Sequence, residues 1–247
     1  MRFGIEIETI SKLNINDLTR KISEILPGKI DENTHAYHAH NMRLWGIEVD
    51  GSIHGDTNFH YGAEIITPPL KIHELGDLRK VLESLKGNIN ANQTCGLHVH
   101  VEIEDVETLK KVLRIWRKFE DEILASFPLS RRNNRYCKKI KSLTLQRMLT
   151  TQYNRYYQVN CQKWPYTGTI EFRGHSGTVN YNKIKRWLLF CLAICRKAKD
   201  TENDDLSREL RRRNINIWSL IGENGKTKKY FDARTIHFIK EEKRCAA

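Results

Sequence analysis

Hydrophobic and polar residues alternate in several short stretches of the chain, and the first, FGIEIET, lies at its start. In a β-strand successive side chains point to opposite faces, so Phe3, Ile5 and Ile7 share one face while Glu6 and Glu8 share the other. Two carboxylates on one strand face repel each other unless a positive charge lies close to both. Taken alone, the stretch fits either a divalent metal site or the solvated outer face of an edge strand.

Similar polar-faced strands are predicted further along the chain. Their polar residues are Asp50 at the end of 45–50, Glu64 within 61–67, His98 and His100 within 96–103, and Glu171 and Arg173 within 169–173, with His175 placed provisionally on the same face. A further strand is predicted at 153–160. A single histidine on such a face is more commonly structural than a ligand. Several such strands in one sheet would instead need metal ions and a phosphate-rich ligand to compensate their charges.

Helical spacing of apolar residues predicts the remaining elements. The expected helices are one capped by Asn16 and ended by Pro27-Gly28, then 74–85, 106–125, a short one to about Met148, and 182–199. From Asp200 the sequence becomes polar and basic. We therefore expect a catalytic domain at 1–199 and a loosely attached segment at 200–247 that packs on the same domain. Antiparallel strands with interspersed helices indicate an α+β fold.

Composition limits the class of protein. The chain has 247 residues, of which 39% are hydrophobic and 29% charged, as in globular domains. No apolar run reaches the roughly 20 residues that a membrane-spanning helix needs, and the chain starts directly with a strand pattern, so no signal peptide is expected. Six cysteines without a CxxC pair indicate reduced thiols and a cytoplasmic location. Cys95, beside the histidine strand, is expected to be a packing residue.

The net charge of +12 and the pI of about 9.4 suit a polyanionic partner, a polyphosphate substrate or simply a solvated basic surface. No nucleic-acid-binding motif is present, so nucleic acid is an open but disfavoured partner. His35, His38 and His40 form a histidine-rich loop. A zinc site is conceivable there, but a surface loop is favoured because no cysteine or acidic ligand accompanies them.

The side chains on the polar faces also indicate which metal is expected. Carboxylates predominate, with one or two imidazoles and no positioned thiolate, which favours Mg²⁺ or Mn²⁺ over zinc. The sequence has no Walker-type glycine loop and no kinase signature. A phosphate group would therefore be held by strands, metal ions and arginines.

A series of motifs from Phe3 to about Trp187 resembles the amidoligase family. This family is part of the carboxylate-amine ligase superfamily, which includes glutamate-cysteine ligase and glutamine synthetase. The motifs are FGIEIET, the Asp50-Gly51-Ser52 step, GAEIITPPL, CGLHVHV, SRRNNRYC, RYYQVN and TIEFRGHSGTVN. Each motif alone is weak, but their order and spacing make the resemblance specific over about three-quarters of the chain.

The resemblance implies a curved, largely antiparallel sheet that forms an active-site funnel backed by helices. It also implies a reaction in which ATP phosphorylates a carboxylate to an acyl phosphate, and an amine then displaces phosphate to give an amide. ATP and two or more Mg²⁺ or Mn²⁺ ions would be the cofactors. Carboxylates and amines of small molecules or peptides would be the substrates, and the sequence does not identify them.

The resemblance also implies residue roles. Glu6 would share one metal with His98 and Glu171, and Glu8 would share another with Asp50 and Glu64. Arg173 would steady the transferred γ-phosphate, and the catalytic groups would be Glu64, Glu171 and Arg173. Further phosphate contacts are expected from Arg131, Arg132 and Arg155. His100 and His175 are candidates for substrate contact.

Two other classes of function remain open at this stage. One is a metal-dependent hydrolase or phosphotransferase that uses the same acidic face. The other is a catalytically silent relative that binds a nucleotide or nucleic acid through its basic surface. The sequence argues against the second, because every position that the resemblance assigns to a metal still carries a competent side chain.

Overall fold

The computed structural model describes residues 1–32, 42–150 and 155–245. The strands within these ranges are β1 (Phe3–Ser11), β2 (Gly46–Glu48), β3 (Tyr61–Ile66), β4 (Ile89–Asn90), β5 (Gly96–Glu102), β6 (Val159–Asn160) and β7 (Thr169–Ser176). The α-helices are α1 (Ile15–Ile25), α2 (Leu75–Ser84), α3 (Val106–Leu124), α4 (Leu129–Arg132), α5 (Leu145–Leu149), α6 (Trp164–Thr167), α7 (Tyr181–Asp200), α8 (Asn203–Arg211), α9 (Ile217–Ile221) and α10 (Lys226–Cys245).

The strands form one sheet in the order β2-β3-β1-β5-β7-β6, and β4 pairs with β1 beside this path. Antiparallel pairing joins β1 to β3 and to β4, β2 to β3, and β6 to β7. The predicted α+β class, with a largely antiparallel sheet and many helices, is therefore confirmed. β2 is shorter than the predicted stretch 45–50, and β6 covers only 159–160 of the described part of 153–160, whereas β1 and β7 extend beyond the predicted 3–9 and 169–173.

The predicted cap of the first helix is wrong by two residues. Asn14, rather than Asn16, precedes the helix, and its Oδ1 accepts a hydrogen bond of 3.0 Å from the backbone N–H of Asp17. Asn16 already lies in the first turn of α1, where its side chain cannot satisfy that donor. Asp105 caps α3 in the same way through Thr108 N at 2.7 Å.

The chain divides into two compact units, which are described separately. The first consists of Met1–His100 and Ser176–Lys185, and the second of Val101–His175 and Arg186–Ala247. In the first unit α1 contacts α2 and β2. Its core takes the apolar face of the strands, and Ile5, Ile7 and Ile65 are fully buried there.

The second unit is organised around aromatic side chains. Trp116 of α3 lies 5.5 Å from Phe172 of β7 and 6.2 Å from Trp187 of α7, measured between ring centroids. Phe190 of α7 lies 4.7 Å from Phe231 of α10 in the same way. Burial of such large rings supplies much of the stability of a domain of this size.

The segment after Asp200 is helical and belongs to the second unit. Residues after Asp200 form α8, α9 and α10, and helix α3 contacts both α8 and α9. The reason is that the polar sequence carries a few well-spaced apolar residues, and these are buried: Leu206, Ile217, Leu220 and Phe231. The division into units also falls elsewhere than the predicted boundary at residue 199.

Other expectations concern single residues. Cys95 is buried with Ile10 and Ile53, in agreement with a packing role. The histidine-rich loop, His35 to His40, lies outside the described residues. In the described ranges, no helix has both the length and the apolar character needed to span a bilayer.

Candidate functional site

Three glutamates from three neighbouring strands form a row in the first unit. Glu64 of β3 lies directly opposite Glu8 of β1 on one side and opposite Glu48 of β2 on the other. Residues that pair directly in antiparallel strands project from the same face of a sheet. All three side chains are buried, and Glu48 is fully so. The carboxylate of Glu8 is therefore one of three in a row that crosses β1, β3 and β2.

His98 of β5 lies against this acidic row. Its Nε2 is 3.3 Å from Glu8 Oε1, and its Nδ1 is 3.2 Å from Glu6 Oε2 and 3.9 Å from Glu64 Oε1. The prediction that Glu6 and Glu8 share a face is confirmed, because one imidazole contacts both. His98 is itself buried, so these contacts form away from bulk water.

Glu6 also contacts a second imidazole, since His100 Nε2 lies 2.9 Å from Glu6 Oε1. The shared face of His98 and His100 is therefore confirmed. Burial by itself would raise the pKa of Glu6, but attraction and hydrogen bonding by His100, and then by His98, hold this pKa well below its ordinary value. Glu6 is consequently ionised at neutral pH.

The pKa of Glu64 is shifted in the opposite direction to that of Glu6. Burial is the largest cause that raises its pKa well above the ordinary value, and the charges of Glu6, Glu8, Asp50 and Glu48 raise it further. A carboxyl group in this environment tends to hold a proton where no cation lies close to it.

A divalent cation fits this environment. Glu6, Glu64 and His98 each offer one ligand atom, and these atoms lie within 4.8 Å of one another. Two carboxylates and one imidazole form a donor set suited to Mg²⁺ or Mn²⁺. The added charge would also relieve the repulsion that acts on Glu64.

Asp50 borders the row, to which Glu48 itself belongs. Asp50, an expected metal ligand, is half-buried, and its Oδ1 accepts a hydrogen bond of 2.7 Å from the backbone N–H of Ser52. Glu48 was missed by the sequence reasoning. It could have been found from the alternation of 45–50, because Glu48 must share a face with Asp50 just as Glu6 does with Glu8.

In the second unit, Glu171 and Arg173 lie two residues apart on β7 and form an ion pair between Glu171 Oε1 and Arg173 Nη1. The other carboxylate oxygen of Glu171 accepts a 2.8 Å hydrogen bond from Asn160 Nδ2. Asn160 lies directly opposite Glu171 in the β6–β7 ladder. Both oxygens of the carboxylate are thus oriented by neighbours on one polar face.

The predicted arginines have different surroundings. Arg131 is buried and donates from Nη2 to the backbone carbonyl of Arg173 at 2.7 Å, next to the polar face of β7. Arg132 instead closes the C-terminal end of α3, where it donates to the carbonyls of Phe127 at 2.8 Å and Ala125 at 3.0 Å. Its remaining nitrogen pairs with Glu242.

Arg155 is exposed, and its guanidinium lies over the ring of Tyr156 at 5.1 Å. Phosphate contacts by Arg132 and Arg155 stay predictions, and for Arg132 they would compete with the contacts that hold the end of α3. A shared metal for Glu6, His98 and Glu171 likewise stays a prediction of the resemblance, as does one for Glu8, Asp50 and Glu64.

The provisional outward placement of His175 is wrong. Its ring is fully buried and lies 5.9 Å from Phe127 and 5.3 Å from Trp187 between ring centroids. Its Nε2 is 3.0 Å from the hydroxyl of Tyr230. Gly174, the preceding residue, lets Phe127 come so close that a Cβ there would lie 2.9 Å from the phenylalanine ring. The strand thus ends in the aromatic core rather than on the polar face.

The net positive charge of the chain comes from the second unit. That unit has 30 lysines and arginines against 17 acidic residues, whereas the first unit has 12 against 13. The acidic face described above is therefore not offset by a basic excess in its own unit. This uneven distribution strengthens the case for a bound cation there.

The described residues thus form an α+β fold with carboxylates and imidazoles close together on one sheet face. Comparison with known proteins agrees with the resemblance seen in the sequence. Residues 1–195 match the model of a family described as "putative amidoligase enzyme", so the chain belongs to this family of ligase-type enzymes. No curated protein matches the sequence significantly.

Proposed function

We propose that the protein is an ATP-dependent carboxylate-amine ligase that forms an amide bond through an acyl phosphate. The observation that carries the proposal is the convergence of Glu6, Glu64 and His98 in a buried cluster that needs positive charge. Membership of the amidoligase family supports the ligase class. The ADP-forming chemistry and the magnesium dependence are the finer parts of the proposal.

The first unit would hold the divalent ions that accompany ATP. Glu6, Glu64 and His98 would bind one ion, and Glu8, with Glu48 and Asp50 near Glu64, has the chemistry to bind a second. When bound, Mg²⁺ lowers the repulsion between the γ-phosphate and an anionic carboxylate substrate. The chain supplies ligands that are already held by the sheet, so little reorganisation is needed on binding.

In the first step an oxygen of the substrate carboxylate attacks the γ-phosphorus of ATP, and the bond from that phosphorus to the β–γ bridging oxygen breaks to release ADP. The guanidinium of Arg173 would offset negative charge on the transferred phosphoryl group. The guanidinium forms an ion pair with Glu171, and Asn160 in turn orients Glu171. These contacts fix the position of the positive charge of Arg173.

In the second step the nitrogen of the amine attacks the acyl carbon, phosphate leaves, and the nitrogen loses its extra proton. An ionised carboxylate in the site would be the acceptor of that proton, and Glu171 is our candidate. The acyl phosphate must be kept from water, because hydrolysis would waste ATP. No covalent intermediate on the protein is required, which fits the buried position of Cys95.

The experiment is ATP turnover with Mg²⁺, with ADP separated from AMP, against pooled carboxylic acids, amino acids and amines. We expect ADP and phosphate only when both substrates are present, and their loss in Glu171→Gln. The matched control is Glu241→Gln, which removes an exposed carboxylate paired with His237.

Other results of the ATP turnover experiment would favour a different function. AMP with pyrophosphate would mean an adenylating enzyme. Phosphate release without any dependence on an amine would indicate a hydrolase or phosphotransferase. A folded protein that binds no ATP with Mg²⁺ would overturn the proposal and favour the catalytically silent relative.

A further inference from the structure

Two segments of the second unit that are distant in the sequence lie side by side. The backbone N–H of Lys138 donates to the carbonyl of Tyr156 at 2.8 Å, and the N–H of Gln158 donates to the carbonyl of Lys138 at 2.9 Å. Segments 135–138 and 155–158 are thereby paired in parallel. The pairing brings together basic and aromatic side chains, which we call the tyrosine–arginine surface: Arg135, Tyr136, Lys138, Arg155, Tyr156 and Tyr157.

Rings and cations are interleaved on this surface. The guanidinium of Arg135 lies 4.8 Å from the ring centroid of Tyr136, and that of Arg155 lies 5.1 Å from the ring centroid of Tyr156. The two tyrosine rings meet edge to face with their centroids 5.4 Å apart. This interleaving arises from the pairing of the two segments, so no local sequence pattern shows it.

The side chains of the surface are accessible to a partner. Arg135 and Lys138 are exposed, and the side chain of Tyr136 is 39% exposed. No carboxylate within the described ranges forms an ion pair with Arg135 or Lys138. Lys138 Nζ instead lies 6.0 Å from the ring centroid of Tyr157. These two charges are therefore available to an anion from outside the chain.

The sequence around the surface supplies no compensating negative charge. Residues 123–170 contain nine lysines and arginines and no acidic residue. Of the acidic residues that flank this stretch, Asp121 pairs with Lys141 and Glu171 pairs with Arg173. A surface of one sign attracts a polyanion and raises its local concentration.

The tyrosine rings narrow the class of polyanion. Lysine and arginine bind the phosphates of any nucleic acid or of an inorganic polyphosphate. Unpaired bases also stack on tyrosine rings and on guanidinium planes, whereas the bases of a duplex are already stacked on each other and a polyphosphate has none. RNA presents unpaired bases in its loops and ends, which makes it the polymer that best fits this surface.

We propose that the tyrosine–arginine surface binds single-stranded RNA. Arg135 and Lys138 would contact phosphates, and Tyr136 and Tyr156 would stack on bases. The inference goes beyond the proposed function and does not depend on it. It also gives a role to the basic excess of the second unit, which the acidic site of the first unit does not use.

The test is fluorescence anisotropy of a labelled single-stranded RNA of about 12 nucleotides, titrated with the full-length protein at several salt concentrations. The comparison probes are the same RNA as a duplex, the same sequence as single-stranded DNA, and inorganic polyphosphate as a competitor. We expect the single-stranded RNA to bind. We expect polyphosphate, at equal phosphate concentration, to compete at least about tenfold less well, because it gains no stacking.

Two kinds of variant separate stacking from charge. Tyr136→Leu and Tyr156→Leu should each weaken RNA binding about fivefold or more and leave its salt dependence unchanged. The double variant Arg135→Gln with Lys138→Gln should instead reduce the salt dependence. The slope of log K against log salt should become shallower by about 1.4, which is about 0.7 for each lost phosphate contact with a single strand.

Matched controls make the same chemical changes elsewhere in the second unit. Tyr166→Leu removes a ring that is 80% exposed on α6. Arg213→Gln with Lys229→Gln removes two exposed charges, so the net charge equals that of the double variant on the surface. Both controls should leave the affinity for RNA and the salt slope nearly unchanged. Thermal unfolding shows whether each variant is folded, and the exposed Arg135 and Lys138 keep the test valid if a tyrosine variant is not.

Several results would overturn the inference. Full RNA affinity in folded Tyr136→Leu and Tyr156→Leu, or equal competition by polyphosphate, would make this a general polyanion surface. An equal loss in the Arg213 and Lys229 control would mean that net charge alone is responsible. Tighter binding of the duplex or of DNA would exclude RNA single strands as the preferred partner.

The experiment also separates this inference from the proposed function. If ATP with Mg²⁺ displaces the RNA competitively and Tyr136→Leu raises the KM for ATP, the rings belong to the nucleotide site of the ligase and the inference fails. If RNA binds as expected and ATP turnover gives AMP or none, the RNA surface stands and the ligase mechanism fails.

Discussion

Glu64 lies directly opposite Glu8 in the antiparallel ladder between β1 and β3. Like charges at directly opposite positions destabilise a sheet, and here both side chains are buried. His98 contacts both carboxylates, but one imidazole cannot balance two negative charges. The pair is therefore stabilised either by a proton on Glu64 or by a cation, and measurement can separate the two cases.

Replacing Glu64 by glutamine should stabilise the metal-free protein by about 1–3 kcal/mol, because the repulsion and part of the desolvation cost disappear. The same change should remove most of the stabilisation that Mg²⁺ or Mn²⁺ gives to the wild type. Urea unfolding with EDTA and with added metal measures both effects. Glu24→Gln, an exposed change on α1, is the control. A less stable metal-free Glu64→Gln would contradict the interpretation.

The pH dependence of stability should follow from Glu64. Its pKa is well above the ordinary 4.5 in the folded protein, so the folded state holds a proton that the unfolded chain has released. Stability in EDTA should therefore fall as pH rises from about 4.5 through the raised pKa. Glu6 acts oppositely: its lowered pKa gives stability that is complete above 4.5 and is lost at more acidic pH.

The measurable quantity is the difference in unfolding free energy between Glu64→Gln and the wild type. This difference should grow with pH above about 4.5 in EDTA and shrink when Mn²⁺ is added. A difference that does not change with pH would mean that Glu64 titrates normally.

Glu48 should matter for metal binding although it was absent from the predicted ligands. It lies opposite Glu64 and is fully buried, so its charge adds to that of the row. We expect Glu48→Gln to weaken Mn²⁺ binding about 10- to 100-fold, the range typical of residues that orient or support metal ligands. Titration of Mn²⁺ followed by electron paramagnetic resonance gives the affinity. An unchanged affinity would limit Glu48 to a packing role.

The sequence predicts which residues share a face of a strand better than it predicts which residues pair across neighbouring strands. Alternation in FGIEIET and CGLHVHV correctly placed Glu6 with Glu8 and His98 with His100. Which residues lie opposite each other depends on the register between distant strands, and no local pattern specifies it. Alternation alone groups Glu48 with Asp50, but its position opposite Glu64 follows only from that register.

Alternation also fails where packing overrides it. His175 was expected to follow Glu171 and Arg173 outward, but the ring lies among Phe127, Trp187 and Tyr230. The resemblance implied a phosphate contact for Arg132. Its contacts with the carbonyls of Phe127 and Ala125 at the end of α3 depend on how the chain turns after that helix, which no residue pattern shows.

Asn160 should act as a positioning residue for Glu171. Its Nδ2 donates to Glu171 Oε2 at 2.8 Å, and this contact fixes the orientation of the carboxylate next to Arg173. Under the proposed mechanism, Asn160→Leu should lower kcat about 10- to 100-fold with little change in the KM for ATP. Asn160→Asp should also shift the pH profile of kcat, because it puts a second carboxylate beside Glu171. A change in KM alone would contradict a positioning role.

The C-terminal segment should be essential for the stability of the second unit. Phe231 of α10 is buried and lies 4.7 Å from Phe190 and 5.2 Å from Trp218 between ring centroids. Phe231→Ala removes these contacts and leaves a cavity, so it should cost about 3–5 kcal/mol. Ile236→Ala, an exposed position on the same helix, should cost less than about 0.5 kcal/mol.

Truncation after residue 200 tests the same packing on a larger scale. Loss of α8, α9 and α10 would expose Phe190 of α7 and the face of α3 that contacts α8 and α9. Exposed apolar surface of this extent leads to aggregation or to loss of a cooperative unfolding transition. A truncated chain that unfolds cooperatively at the wild-type temperature would restore the expectation of a loosely attached segment. We expect instead that the helices after residue 200 are inseparable from the unit that carries Glu171 and Arg173.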